Sequence, residues 1–127
     1  MHVAVEIPSE PEAVAIARDV VACAVAEATA PEQPVEDLRL LTSEIVTNAL
    51  RHAGSKAGDT IGVAVDVSAL RVRVEVADRG PGFDPATLSE PSPERIGGWG
   101  LHLVRQLADA WGVIRGEPSS VWFELSL

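Results

Sequence analysis

Between Ile61 and Val76 the chain alternates in a way that dictates how it must be built. Ile61, Val63, Val65 and Val67 are separated by small or polar residues, and Leu70, Val72, Val74 and Val76 by Arg71, Arg73 and Glu75. Successive strand side chains point to opposite faces, so both runs carry one apolar face and one wet face. A turn around Ser68 and Ala69 folds them into an antiparallel pair. The apolar face of such a sheet must be covered, and the chain supplies helices to do so. Leu38, Leu41, Ile45 and Ala49 recur at helical spacing within LRLLTSEIVTNALRHA; Val14, Ala17, Val21, Ala24 and Val25 form a second stripe; Leu101, Val104, Leu107, Ala108 and Trp111 mark a third. The expected class is α/β (α+β), a two-layer sandwich with its helices on one side.

The remaining boundaries follow from local chemistry. Val3, Val5 and Ile7 read as an opening strand ended by Pro8, and Ser9 with Glu12 as a capping box that starts the first helix. The prolines of Ala30 to Pro34 break the first helix from the second, which is expected from Val35 to His52 with Gly54 stopping it. Gly112 is expected to end the third helix, leaving Val113–Arg115 and Val121–Leu127 as the last strands. In the final strand Trp122 faces away from Val121, Phe123 and Leu125, either as a partner surface or as cover for the sheet. Cys23, among Val20, Val21, Ala24 and Val25, is expected to be buried.

Composition removes several classes of function. The length of 127 residues fits one domain, and 10 basic against 19 acidic residues, a net charge of −9, oppose a general grip on nucleic acid. One cysteine makes no internal disulfide, and no apolar run is long enough to cross a bilayer. The expected setting is cytoplasmic, with no membrane partner.

Three stretches carry the chemistry. Glu44 and Asn48 lie four apart, about 40° from each other around a helix, on one edge of the apolar stripe. A carboxylate that accepts a proton beside an amide oxygen that suits magnesium is one reading; ordinary polar residues flanking a core is the other. Asp78 ends a strand and is followed by Gly80 and Gly82, which permit a tight turn and let a flat ligand approach. A buried carboxylate there can select the amine of adenine over the carbonyl of guanine, although a plain Asp-Arg-Gly turn fits equally. After an irregular, proline-rich passage, Gly97, Gly98 and Gly100 open a helix whose bare N–H groups suit phosphate. The glycines form neither a Walker A loop nor a dinucleotide fingerprint. Arg51 and His52 complement the end of their helix dipole, and Arg51 equally suits contact with phosphate.

In this order TSEIVTNALRHA, DRGPGF and GGWGL resemble the N, G1 and G2 boxes of the GHKL ATP-binding superfamily. The compact length and the ending ADAWGVIRGEPSSVWFEL look most like its anti-sigma factor serine/threonine kinase branch. The resemblance implies a Bergerat-type fold, a mixed, mostly antiparallel sheet under three helices, in a single histidine-kinase-like ATPase domain over residues 1–127. It implies ATP and Mg2+ as cofactors, with Asn48 on the metal, Asp78 on the adenine amine, and Gly80 and Gly82 shaping the adenine pocket. Gly98, Gly100 and the adjoining Leu101 would hold phosphates, Ser120 would lie near adenine, and Arg51 and Arg105 are candidate phosphate contacts. Glu44 matches the general base, taking the proton from a partner's serine or threonine. Two departures are Trp99, where relatives often carry Arg, and a short lid with few basic residues. The implied partners are a sigma factor and an anti-anti-sigma protein, with a possible homodimer through the face bearing Arg71, Arg73 and Glu75 or through the opening strand. The alternative is a non-catalytic, nucleotide-dependent binding module of the same fold. A histidine kinase fragment ranks below both.

Overall fold

The computed structural model describes residues 1–27, 32–52, 58–78, 96–114 and 119–127, and of residues 32–34, 52 and 96–100 the backbone alone. The elements run β1 (His2–Pro8), α1 (Ala13–Glu27), α2 (Glu32–His52), β2 (Thr60–Val67), β3 (Arg71–Asp78), α3 (Ile96–Leu107), β4 (Ala110–Ile114) and β5 (Ser119–Ser126). The strands form one sheet in the order β1-β2-β3-β5-β4, and all four pairings are antiparallel. The expected mixed sheet is thus replaced by an antiparallel one. Connectivity explains why. Two helices in succession carry the chain from β1 across the sheet and back, so β2 returns against β1. A single helix separates β3 from β4, which would run parallel as neighbours, but β5 lies between them.

The alternation of β2 and β3 is realised as read. Ile61, Val63, Val65, Val67, Val72, Val74 and Val76 are buried on one face, and the turn is held by the Ser68 hydroxyl, which accepts from Arg71 N–H at 3.2 Å. β5 adds Val121, Phe123 and Leu125 to that face. α1 lies over β1 and β2, α2 over β3 and β5, and α3 beside β4, with α2 packed between the other two helices. Leu38, Leu41, Ile45, Val46 and Ala49 of α2 and Leu101 and Val104 of α3 close the core. Each fully buried Leu, Ile or Phe adds roughly 1.5–3 kcal/mol relative to exposure, and this burial holds the two layers together.

Four local expectations are corrected. The third helix ends at Leu107, so Trp111 and Gly112 belong to β4, paired with Phe123 and Trp122. The helical spacing of Trp111 was accidental, and the glycine is needed in the strand: a Cβ there would lie 2.7 Å from Trp122 Nε1. Trp122 therefore covers the outer sheet face, with the Arg73 guanidinium 4.0 Å above its ring. Cys23 is exposed because it stands half a turn from Val21 and Ala24's side of α1. α1 starts at Ala13, one residue after the expected Glu12. The Glu12 carboxylate is hydrogen-bonded to Glu10, and this bond holds the Glu10 carboxyl above its ordinary value and that of Glu12 below. α2 begins at Glu32, with Pro34 accommodated in its first turn, where no N–H is required.

Candidate functional site

The antiparallel connectivity gathers most of the candidate residues at one end of the molecule. Pro8, at the end of β1, pairs with Thr60, at the start of β2, so α1 and α2 together complete a return trip and α2 finishes at that end. β3 runs back to the same end and finishes at Asp78, opposite Ser119 at the start of β5. α3 has its C-terminus tied to the other end. Asp109 N–H donates to Glu124 O at 2.9 Å, and Ser126 N–H donates to Asp109 Oδ2 at 2.6 Å. Twelve helical residues span about 18 Å, which returns the start of α3, with Gly97, Gly98 and Gly100, towards Asp78.

Asn48 is the most telling side chain in this group. It is 1% exposed, and among the described residues neither its Oδ1 nor its Nδ2 has a hydrogen-bond partner. Leaving a buried amide unsatisfied costs about 1–3 kcal/mol per group, so the position is poor as structure and apt for a ligand. Its oxygen is a hard neutral donor, the type that fits magnesium alongside phosphate and water ligands. Glu44, one turn earlier, is half-buried, as a proton acceptor open to an incoming hydroxyl needs to be. Among the described residues no three His, Cys, Asp or Glu side chains gather as a metal cage. The single neutral oxygen of Asn48 suits an ion brought with a nucleotide, whose other ligands come from phosphate and water.

Asp78 is 3% exposed, and Ser119 across the strand pair is 1% exposed. Ser120, the expected neighbour of adenine, pairs with Ala77 and so belongs to the opposite face of the sheet. Ser119 is the residue that shares a face with Asp78. Gly80 and Gly82 lie outside the described residues, as do Gly54 and the lid. The glycine-rich segment lies inside α3, which begins at Ile96. The N–H groups of Ile96, Gly97 and Gly98 are first-turn donors that lack helical acceptors, whereas that of Gly100 is two residues too deep. Leu101 is 1% exposed, so its side chain is committed to the core. Arg105 stands in the last turn of α3, about 10 Å along the axis beyond Gly98, where it complements the helix dipole and is remote from the first-turn donors. Arg51 is exposed. His102 is bonded to Gln106 within α3 at 3.2 Å. Thr42, which the sequence did not single out, is a second buried group on α2 whose hydroxyl lacks a partner among the described residues.

This arrangement gathers candidate residues that suit a nucleotide at one end of an α/β sandwich, and comparison with known proteins gives the class. The model of the histidine kinase-like ATPase domain matches residues 7–124, and the chain belongs to that family. Within it, the chain is similar to the serine-protein kinases RsbW. It is 31% identical to that of Listeria innocua over 123 residues, 86% of this chain and 78% of the relative. It is 28% identical to that of Oceanobacillus iheyensis over 120 residues, 85% and 75% of the two chains. Among solved structures, the RsbU and RsbW domains of Rv1364c from Mycobacterium tuberculosis superpose with a TM-score of 0.74 at 20% identity, covering 98% of this chain and 31% of that one, a likeness of fold. The histidine kinase domain of Erythrobacter litoralis EL346 gives 0.54 at 28% identity over 73% of this chain and 44% of that one. No helix among the described residues is long and apolar enough to cross a membrane.

Proposed function

We propose that the chain is a magnesium- and ATP-dependent protein serine/threonine kinase of the anti-sigma type, acting in the cytoplasm on a regulatory partner protein. The observation that carries this reading is the buried amide of Asn48, unpartnered among the described residues, one turn from the half-buried carboxylate of Glu44. Kinship with the RsbW serine-protein kinases supports the same activity.

In this reading Asp78 accepts a hydrogen bond from the exocyclic amine of adenine and rejects guanine, whose carbonyl would face the carboxylate. Ser119, beside it, supplies a hydroxyl for the same edge of the base. Gly80 and Gly82 shape the base pocket, and the first-turn N–H groups of α3, that of Gly98 included, meet the phosphates with the helix dipole behind them. Asn48 would hold magnesium, which when bound neutralises charge on the β- and γ-phosphates. Glu44 accepts the proton of the acceptor hydroxyl as that oxygen bonds to the γ-phosphorus. The bond from the γ-phosphorus to the β–γ bridging oxygen breaks, ADP leaves with that oxygen, and the partner carries the phosphoryl group. By kinship, the partners would be a sigma factor and an anti-anti-sigma protein. A module that binds nucleotide without turnover is the second reading, favoured by the scarcity of basic residues in the lid, where Arg79 and Arg95 are the only two.

Titration calorimetry with ATP, with and without magnesium and with GTP as control, tests the pocket. Binding is expected to prefer ATP and to strengthen with magnesium. Asp78→Asn is expected to weaken it by about 100-fold, the worth of one buried charge-assisted hydrogen bond. Equal affinity for GTP, or an unaltered Asp78→Asn variant, would remove the adenine assignment.

A further inference from the structure

Helix α2 carries a second pattern outside the buried pair of Asn48 and Ala49. At about 100° per residue, Leu40, Glu44 and Arg51 fall within about 40° of one another, forming a column along the solvent side of Asn48's edge. Leu40 is 41% exposed, although an apolar residue on a helix with a well-filled core has no structural need to be there. Arg51 is exposed and, among the described residues, meets no carboxylate. That is unlike Arg39, Arg71 and Arg73, each of which is paired with a glutamate. In a chain of net charge −9, this exposed cation, about 10 Å along the helix from Glu44, is one that an acidic partner would feel.

We infer that this column reads the polypeptide that carries the acceptor hydroxyl: Leu40 takes an apolar side chain, Glu44 the serine or threonine, and Arg51 an acidic side chain. The inference rests on the kinase reading above and names its substrate class. Arg51 thereby serves the protein acceptor and not the nucleotide, since it lies on the solvent side of Glu44, farther round the helix from Asn48 than Glu44 is. The spacing sets the register. Leu40 is about 6 Å and Arg51 about 10 Å from Glu44 along the axis, so an extended chain at about 3.3 Å per residue places the apolar residue two positions to one side of the acceptor. The acidic residue falls three positions to the other side.

The test uses the full chain and synthetic nine-residue peptides with one central serine, a leucine two residues to one side and aspartate or lysine three residues to the other, in both chain directions. Wild-type protein is expected to favour the aspartate peptides in kcat/KM by about fivefold, the scale of one exposed ion pair. Arg51→Glu is expected to reverse the preference towards lysine while its ATP affinity, read by calorimetry, stays within about twofold of wild type. Leu40→Asp should raise KM for every leucine-bearing peptide and leave kcat unchanged. A tenfold loss of ATP affinity in Arg51→Glu would overturn the inference by making Arg51 a phosphate ligand. Indifference to the aspartate-to-lysine exchange, or phosphorylation of no peptide by a protein that binds ATP, would also overturn it. Failure of wild type to bind ATP at all would strike the kinase reading instead.

Discussion

On the outer face of the sheet, Arg73 is engaged three times. It donates to Glu124 Oε1 and to Glu75 Oε1, both at 3.3 Å, and lies over the ring of Trp122. Arg71 adds a bond to Glu124 Oε2 at 3.1 Å, and across the sheet His2 Nδ1 meets Asp66 Oδ1 at 2.5 Å. These groups are wet or half-wet, yet they are matched. On α2 the order is inverted, since Asn48 and Thr42 are buried to 1% and 0% exposure and neither side chain has a partner among the described residues. A sheet face that matches its polar groups while a helix edge leaves the buried amide of Asn48 open marks that amide as one held for something that arrives later. The paired face is therefore read as structure and the unpaired helix edge as function.

The largest effect expected on the functional side is at Glu44. Because its carboxylate is half-buried at the rim and outside the apolar cluster, Glu44→Ala should fold normally and bind ATP as before. Phosphoryl transfer to a partner serine should fall by about 10²–10⁴-fold, the usual contribution of a positioned base. Undiminished transfer, followed with radiolabelled ATP, would break the assignment of this edge to catalysis.

Asn48→Leu sharpens the contrast because it has two consequences of different sign. Replacing an unsatisfied buried amide with an apolar side chain of similar volume should leave the ligand-free protein at least as stable in urea. The same change should remove most of the magnesium-dependent gain in ATP affinity, about tenfold, as read by calorimetry. Loss of stability together with retained magnesium dependence would mean that the amide is an internal strut.

The strand alternation and the α2 stripe were legible in the sequence because both depend on periodicities that a core enforces residue by residue. The Asp78 end was legible only in part, since a carboxylate closing an apolar strand and followed by glycines suits an adenine pocket and a plain turn equally. What escaped reading depended on partners distant in sequence. Trp111 continued a helical stripe by spacing alone, and only the pairing of β4 with β5 shows that Gly112 is bare to admit the Trp122 indole. Ser119 and Ser120 are chemically identical, and the choice between them rests on a register set by Val121 and Val76 across the sheet, where a shift of one residue exchanges the faces. Arg105, a candidate phosphate contact by resemblance, stands in the last turn of α3, about 10 Å along the axis beyond Gly98, a separation that the sequence alone leaves implicit.

Thr42 supplies the smallest effect and the strictest test of the contrast, because it is as buried and as unpartnered as Asn48 without adjoining Glu44. On α2 it lies about 120° from Asn48, in the middle of the stripe formed by Leu38, Ile45, Val46 and Ala49. No ligand has access there, so its hydroxyl should be a cost without a return. Thr42→Val keeps the shape, has a similar helix propensity and removes that hydroxyl. It should raise stability by about 1 kcal/mol, a melting shift of about 4 °C for a domain of this size, with ATP affinity unaltered. A destabilised Thr42→Val would reveal a partner for the hydroxyl, such as a buried water, and the same water chemistry would then extend to Asn48. An open amide would no longer single out a ligand site, and the reading of α2 would rest on Glu44 and on kinship alone.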